Sequence, residues 1–332
     1  MDGICYGGGE IQEFERHTVM EVIRGYEAIP EVLQGAYVTI GNFDGVHVGH
    51  QYIFKKLRSE SHGAASPAVV ITFDPHPKTV IHPDRQPFYL ITTLDEKIDL
   101  IRRQGADALV LIPFSLEFAR TTAEAFVCDI LWGRLRSRKV FIGHDYTFGQ
   151  GKQGNEAFLK AFGDRLGFAV EVINAYNIGN EVVSSTRTRN TILSGDVKTA
   201  AVFLGRPYNL GGRVVEGHHR GTGMGFPTAN IEPDKVLVPA GGVYAAWAKL
   251  DGAFHKAVLN IGTNPTFGDN RRTIEVFLLE FQADLYGRHM EVLFVERLRD
   301  EKKFSGPQEL VAQIGQDVER AKTILESAGG HW

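Results

Sequence analysis

The chain has 332 residues, of which 43% are hydrophobic and 23% charged, and this length allows about two domains with a buried core each. Its formal net charge of −4 argues against a general nucleic-acid binder, which would carry a basic surface. The two cysteines, Cys5 and Cys128, exclude a disulfide framework, and no apolar run is long enough to span a membrane. We therefore expect a cytoplasmic protein without nucleic-acid or membrane partners.

The first domain is predicted over residues 20–189, after a glycine-containing extension at 1–19 that shows no hydrophobic period and is expected to be disordered. Short β-branched runs alternate here with helix-length segments, which is typical of a parallel sheet covered by helices on both faces. Ligands of such sheets bind at the carboxyl ends of the strands. The predicted strands are Ala36–Ile40, Ala68–Phe73, Ala108–Phe114, Lys139–Ile142 and Phe168–Ile173, and the predicted helices are Leu94–Gln104, Thr121–Leu135 and Asn155–Leu166.

The segment Gly41–His50 follows the strand Ala36–Ile40 and contains two histidines three residues apart. A strand that ends in glycine and opens a helix offers free backbone N–H groups to an anion, and the helix dipole favours negative charge there. If the helix begins near Val46, both imidazoles lie on one face of its first turn. This predicts a nucleotide phosphate site; the alternative is that one histidine caps the helix and the other covers the sheet. The residues assigned to the predicted site are Gly41, Phe43, Asp44, His47 and His50.

A second transition from strand to helix is predicted within Val182–Arg189. Ser184 or Ser185 can cap this helix, which leaves Thr186 and Arg189 on one face. The planar fork of an arginine suits a phosphate, although such a pattern alone is more often an N-cap with solvated arginines. Together the two segments supply cationic and N–H donors without an evident base, which favours transfer at an α-phosphate with pyrophosphate leaving.

Two loops follow other predicted strands, at Phe73–Pro77 and Gly143–Gly149. Loops at this edge of a sheet commonly carry binding groups. Asp145, Tyr146 and Phe148 are of the types that hold a flat heterocycle. The alternative is that both segments are only tight loops.

The sequence changes character after residue 189. Residues 190–205 are predicted to form two short linker helices, broken at Ser194-Gly195. Strand-like runs without intervening helices follow, which predicts an antiparallel barrel over 206–332 that is closed by an amphipathic helix at Pro307–Ser327. Hairpin turns are indicated at Asp251-Gly252 and Tyr286-Gly287.

The barrel region contains a glycine-rich loop at 217–225, followed by Pro227-Thr228-Ala229-Asn230. Such a loop can wrap phosphates with backbone N–H groups, and the oxygens of Thr228 and Asn230 suit Mg²⁺. The alternative is a flexible hairpin loop. Glu275 lies on a partly apolar strand face, where a carboxylate is a candidate base for an alcohol that attacks a terminal phosphate.

The chain resembles the bifunctional riboflavin kinase/FMN adenylyltransferase (FAD synthetase) family of bacteria from about Met20 to the last helix. Four motifs carry the resemblance in the family's order: His47-Val-Gly-His50, Ser185-Thr186-x-x-Arg189, Gly225-Phe-Pro-Thr-Ala-Asn230 and Glu275. The resemblance implies a Rossmann-like nucleotidyltransferase domain that makes FAD and pyrophosphate from FMN and ATP. It also implies a Greek-key kinase barrel that makes FMN and ADP from riboflavin and ATP, and Mg²⁺ in both reactions.

The resemblance also implies a role for each matching residue. In the N-terminal domain it implies that His47 and His50 bind the ATP phosphates, that Ser185, Thr186 and Arg189 act in the same transfer, and that Asp145 and Phe148 bind the flavin. In the barrel it implies that Thr228 and Asn230 bind Mg²⁺ and that Glu275 is the catalytic base. Gly225 and Pro227 are implied to bind the nucleotide of the kinase. Three positions depart from the family pattern, since Tyr146, Met224 and Phe277 stand where phenylalanine, leucine and histidine are usual. These departures concern fine specificity rather than either reaction.

Two rival functions are weighed against this one. In the first, the N-terminal domain transfers a nucleotidyl group to another phosphate or alcohol while the barrel only binds, which Glu275 and the Thr228/Asn230 pair oppose. In the second, the chain is a flavin-binding or regulatory module without turnover, which His50 and Arg189 oppose. Self-association is left open by the sequence.

Overall fold

A computed structural model describes residues 20–85, 87–216, 226–263 and 272–328, which form a parallel α/β unit followed by an antiparallel barrel. The extension expected at 1–19 lies outside these ranges, as does the glycine-rich loop with Gly225. Among the described residues, no helix combines the length and the apolar character needed to cross a membrane.

The predicted parallel sheet is confirmed, with strand ends displaced by one residue at most. Its strands are β1 (Glu21–Arg24), β2 (Tyr37–Ile40), β3 (Ala68–Asp74), β4 (Ala108–Pro113), β5 (Lys139–Gly143) and β6 (Ala169–Ile173). They pair in parallel in the order β1-β4-β3-β2-β5-β6. The four central strands are buried almost throughout because helices cover both faces, which explains their continuous apolar runs.

The helices of this unit are α1 (Val48–Gly63), α2 (Pro77–Ile81), α3 (Leu94–Arg102), α4 (Ala123–Ala125), which continues as a π-helix over Phe126–Arg134, and α5 (Glu156–Leu166). Single 3₁₀ turns occur at Tyr26–Ala28, Glu31–Leu33, Pro83–Arg85, Phe118–Arg120 and Gln150–Lys152. All three helices predicted from the sequence are present.

The chain then leaves the sheet through a short hairpin and two helices. These elements are β7 (Asn177–Ile178), β8 (Glu181–Val182), α6 (Ser185–Leu193) and α7 (Val197–Leu204). The break expected at Ser194-Gly195 is present, with Gly195 at a φ of 83°. Because α6 begins at Ser185, it continues through the boundary expected between residues 189 and 190.

The strand order creates a crevice at the edge of the sheet. The chain passes from β2 to β3 on one side, whereas β5 pairs with β2 on the other. Ligands of open α/β sheets bind where the order reverses in this way, at the carboxyl ends of the two strands. The segment Gly41–His50 after β2 and the loop Gly143–Gly149 after β5 therefore adjoin the same crevice.

The second unit is a closed antiparallel barrel, as predicted. Its strands are β9 (Asn209–Val215), β10 (Ala229–Pro233), β11 (Gly242–Leu250), β12 (Ala253–Thr263), β13 (Arg272–Leu278) and β14 (His289–Arg299), paired in the order β10-β13-β12-β11-β14-β9. β10 and β11 follow each other in the chain but are not neighbours in the barrel. Their connection therefore passes over one end of the barrel, as in a Greek key. The hairpin turn predicted at Asp251-Gly252 connects β11 and β12, and both of its residues have positive φ.

The closing helix α8 (Pro307–Ala328) covers the outside of the barrel. Its packed face centres on Val318, Ala321 and Leu325. Of the predicted stripe Leu310, Ile314, Val318 and Ile324, the last three pack in this cluster. The inside of the barrel is filled by residues such as Ile274, Val276 and Leu278. The same core includes Ile91 of the first unit and Ile192 of α6, so the two units share buried apolar surface.

Candidate active sites

The segment Gly41–His50 turns sharply between β2 and α1. His47 is the N-cap of α1, and its Nδ1 accepts a hydrogen bond from the backbone N–H of His50 at 3.3 Å. A cap residue has extended backbone angles, so the helix begins at Val48. The start expected from the sequence is near Val46, two residues earlier. The rings of His47 and His50 stack with 3.6 Å between their centroids. The two histidines are therefore together at the helix start, and one of them is also a cap.

Both imidazoles are uncharged at neutral pH. His47 is 5% exposed, and its burial, followed by the nearby Arg206, lowers its pKa to about 4. Burial, followed by His47, also lowers the pKa of His50 well below the usual value. Nδ1 of His50 is buried and has no hydrogen-bond partner among the described residues. A neutral ring with an unpaired nitrogen can exchange one hydrogen bond with a group that enters the crevice.

Asp44 joins three separate segments of the first unit. It is 3% exposed, and its Oδ1 accepts the backbone N–H groups of Ile91 at 2.9 Å and Thr92 at 3.3 Å. Its Oδ2 lies 2.7 Å from a guanidinium nitrogen of Arg189. Every one of these contacts is to the protein, so the carboxylate fixes the shape of the loop in which it lies.

The start of α6 is attached to the same loop. Ser184 is the N-cap, because its side chain accepts the N–H of Arg187 at 3.2 Å. The hydroxyl of Ser185 donates to the backbone carbonyl of Asp44 at 2.9 Å. Thr186 is exposed and lines a surface groove with Ser184 and Arg187. The structure thus brings Ser185 to the segment Gly41–His50 and leaves Thr186 open to solvent.

Positive charge is concentrated beyond the end of β3. Arg189 is 9% exposed and stands over the ring of Phe88, with 4.8 Å from its Cζ to the ring centroid. His76 packs on the same ring, and burial, followed by Lys97 and Arg189, lowers its pKa to about 3. Lys97 is buried, and its Nζ donates to the carbonyl of Phe73 at 3.1 Å. Two buried cations, Arg189 and Lys97, therefore lie close to the carboxylate of Asp44 at this end of the sheet.

Sequence reasoning missed Lys97. It lies within Asp95-Glu96-Lys97, which is typical of the solvated first turn of a helix. Only the register of α3 against the sheet turns this side chain inward, where it meets no ion-pair partner within the described part of the chain. The sequence does contain one indication that Lys97 is buried. It lies three residues after Leu94 and four before Ile101, on the same face of the helix as these apolar residues.

The loop after β5 divides its predicted residues between core and solvent. The ring of Phe148 is buried against Phe126 and Phe158, with ring centroids 5.4 and 6.1 Å away. Tyr146 stacks on Phe148 at 5.8 Å, and burial raises the pKa of its phenol. Asp145 is exposed. Phe148 therefore belongs to the core of the first unit, whereas the carboxylate of Asp145 is open to solvent.

In the barrel, Glu275 lies on the outer wall. Its neighbours Ile274 and Val276 point into the core, so alternation along β13 turns the carboxylate outward. Asn230 of β10 is its partner on one side, and Asn260 of β12 is its partner on the other. Side chains directly opposite each other in a sheet lie about 5 Å apart, so Glu275 stands between two carboxamides.

Thr228 and Asn260 are two further polar residues near Glu275 on this wall. Thr228 is half-buried and lies two residues before Asn230, which places both on one side of the extended segment. Asn260 is a residue that sequence reasoning missed. The sequence does show that Asn260 is the amide between Leu259 and Ile261, which point inward. The pairing that places Asn260 beside Glu275 cannot be predicted from the sequence of one strand.

Comparisons with known proteins agree with the division of the chain into two units. The family model for FAD synthetase matches residues 29–187, and the model for riboflavin kinase matches residues 204–325. The bifunctional riboflavin kinase/FMN adenylyltransferase of Haemophilus influenzae is 36% identical over 309 residues, which cover 93% of this chain and 100% of the relative. The enzyme of the same name from Escherichia coli (strain K12) is 36% identical over 310 residues, covering 92% and 98%.

A solved structure agrees over nearly the same extent. It is described as a macrolide-efflux protein from Streptococcus pneumoniae, and it superimposes with a TM-score of 0.83 at 32% identity, covering 92% of this chain and 99% of its own. The agreement spans both units and therefore their arrangement. From these matches and the two sites, the chain belongs to the bifunctional riboflavin kinase/FMN adenylyltransferase family.

Proposed function

We propose that the barrel phosphorylates riboflavin to FMN and that the N-terminal unit adenylylates FMN to FAD. One observation carries this proposal: each family match contains its own constellation, Glu275 between Asn230 and Asn260 in the barrel, and the paired histidines at the crevice of the sheet. A chain with one activity would need only one of these sites. The exclusion of a disulfide framework supports a cytoplasmic location.

The adenylyl transfer is proposed to occur at the carboxyl ends of β2 and β5. A phosphate oxygen of FMN attacks the α-phosphorus of ATP, the bond to the β-phosphate breaks, and pyrophosphate leaves. The attacking oxygen is already anionic, so no base is needed. His47 and His50 contribute uncharged N–H donors and the start of α1 contributes its dipole, while Arg189, which is paired with Asp44 of the same loop, contributes a cation.

The flavin of this reaction is proposed to lie against the loop after β5. The exposed carboxylate of Asp145 can accept a hydrogen bond from the ring system, while Phe148 supports the loop from below. Ser185 and Thr186 are proposed to contact the nucleotide through the start of α6. Gly41, Phe43 and Asp44 form the backbone that the phosphates approach.

The kinase reaction is proposed to occur on the outer wall of the barrel. The terminal hydroxyl of riboflavin attacks the γ-phosphorus of ATP, Glu275 accepts the hydroxyl proton, and ADP leaves. Thr228 and Asn230 offer hydroxyl and amide oxygens, which fit Mg²⁺ when the phosphates supply its other ligands. Bound there, Mg²⁺ would neutralise charge on the phosphates. Gly225 and Pro227 are proposed to contact the kinase nucleotide.

The test is to incubate the purified protein with riboflavin, ATP and Mg²⁺ and to separate the flavins by chromatography. We expect FMN to appear first and FAD to follow, and both to be lost when EDTA replaces Mg²⁺. A second reaction starts from FMN. FAD formed from FMN without any FMN formed from riboflavin would support the rival in which the barrel only binds, and no product in either reaction would support a binding module.

A further inference from the structure

Lys235 belongs to the barrel but is buried against the first unit. It lies between β10 and β11 and is 5% exposed. Its Nζ is 2.9 and 3.0 Å from the two carboxylate oxygens of Glu96 in α3, and 3.3 Å from the carbonyl oxygen of Ile91. A fourth acceptor, the carbonyl oxygen of Asn209, lies at 2.7 Å. The ammonium is therefore fully hydrogen-bonded, and three of its four acceptors belong to the N-terminal unit.

Glu96, which binds Lys235, also binds the residue that precedes α3. Its Oε2 accepts the backbone N–H of Thr93 at 2.8 Å, while the hydroxyl of Thr93 accepts the N–H of Glu96 at 3.2 Å. This reciprocal capping box fixes the start of the helix. The amide of Asn209 also donates to Glu96 at 2.6 Å. Two barrel residues thus bind the carboxylate that accepts the N–H of Thr93, and Lys235 also binds the carbonyl of Ile91 directly.

Residues 91 and 92 in turn hold the segment that contains the histidines. The N–H groups of Ile91 and Thr92 bind the carboxylate of Asp44, and the hydroxyl of Thr92 accepts the N–H of Gly45 at 3.2 Å. Asp44 then pairs with Arg189. Hydrogen bonds on both sides of the backbone segment 91–93 therefore connect the ammonium of Lys235 with the proposed adenylyltransferase site.

The geometry points to Lys235 as a positioning residue for adenylyl transfer that is supplied by the kinase barrel. It holds residues 91–93, and through them Asp44 and the segment Gly41–His50, in the conformation that receives ATP. Its hydrogen bonds within the described residues go to Glu96, Ile91 and Asn209, none of which is assigned to the kinase site. This inference rests on the proposed function of the N-terminal unit, but it assigns a barrel residue to the other reaction.

The test compares Lys235→Met, which removes the charge and keeps most of the buried stem, with Lys235→Arg. For FAD formation from FMN we expect Lys235→Met to lower kcat/KM for ATP by about tenfold, within the ~10²-fold that a misplacement of 1 Å can cost. FMN formation from riboflavin should stay within a factor of about two, and Lys235→Arg, whose planar guanidinium keeps the charge but not the compact shape of the buried ammonium, should recover only part of the loss. The matched control is Lys256→Met, which removes a barrel lysine paired with the exposed Glu326.

Backbone amide hydrogen exchange gives a readout that does not depend on turnover. In Lys235→Met, exchange should accelerate in peptides that cover residues 41–50 and 91–93, and stay unchanged in β12 and β13. Unchanged exchange at 41–50 would overturn the inference even if the wild-type protein made no FAD. Equal losses of both activities, or full FAD synthesis by folded Lys235→Met, would also overturn it.

Discussion

Several side chains of the N-terminal site are already paired within the protein. Arg189 and Asp44 form an ion pair across 145 residues of sequence, and His47 caps the helix whose start it marks. The motifs predict that these residues belong to one site, and the structure brings Arg189 to the segment Gly41–His50 through its pairing with Asp44. The motifs did not reveal the internal partners, since a pairing over such a separation depends on the finished fold.

Glu275→Gln tests the proposed base at the scale of one residue. The amide keeps the size of the side chain but cannot accept the hydroxyl proton, so FMN formation should fall by roughly 10²- to 10⁴-fold. FAD formation from supplied FMN should not change, because the other site lies in another unit. Initial rates by flavin chromatography measure both. A comparable loss in Glu319→Gln, which alters an exposed carboxylate on α8, would show that the effect is not specific.

The pH dependence of stability should report on His47. Its pKa is about 4 in the folded protein and near the ordinary 6.5 in the unfolded chain, so between these values only the unfolded chain binds the proton. The free energy of unfolding should therefore decrease as the pH falls from 6.5 to 4, by ~3 kcal/mol for this group.

Urea unfolding at a series of pH values measures this effect. The comparison variant is His47→Asn, which retains a capping side chain but does not titrate in this range. Its free energy of unfolding should decrease less steeply than that of the wild type below pH 6.5. Identical slopes would show that His47 is not the group responsible.

At the scale of elements, strands that are buried on both faces could be read directly from sequence. β3 and β4 appear as continuous apolar runs, and their ends were placed within one residue. The outer wall of the barrel could not be read in this way. Alternation along β13 showed that Glu275 shares a face with Phe277, but which face lines the core depends on pairing with β10 and β12.

The attachment of α6 to the loop after β2 can be tested by a double-mutant cycle. Arg189→Met leaves Asp44 buried without its cation, and Asp44→Asn leaves Arg189 without its anion, so each should cost ~3–5 kcal/mol in the free energy of unfolding. The double variant should cost clearly less than the sum, because no charge is then left unpaired. Additive losses in denaturant unfolding would show that the pair does not couple these elements.

At the scale of the whole molecule, the two units share buried surface. Ile91 and Ile192 pack into the barrel core, and Arg206 donates to the carbonyl of Gly45 at 2.9 Å. The sequence predicts two domains joined by short helices, and in the structure α6 and α7 lie between the sheet unit and the barrel. The sequence could not indicate the extent of contact between them, because Lys235 and Glu96 are separated by 139 residues and neither lies in a recognisable motif.

This shared surface predicts one cooperative unfolding transition. In a Trp332→Phe background, Trp132→Phe leaves Trp247 as a reporter of the barrel, and Trp247→Phe leaves Trp132 as a reporter of the first unit. In each variant, the fluorescence midpoint in urea should coincide with the midpoint measured by circular dichroism. A fluorescence midpoint that differs from the circular-dichroism midpoint of the same variant would show that the units unfold independently.

The outward position of Glu275 has an evolutionary consequence. The interior of the barrel, with Ile274, Val276 and Leu278, carries no proposed chemistry and is constrained only in volume and apolarity. Related chains can therefore exchange aliphatic residues of similar volume there, while the exterior around Asn230 and Asn260 tolerates little change. Substitutions should be more frequent at these interior positions than around Glu275, although the interior is usually the more constrained part of a globular domain.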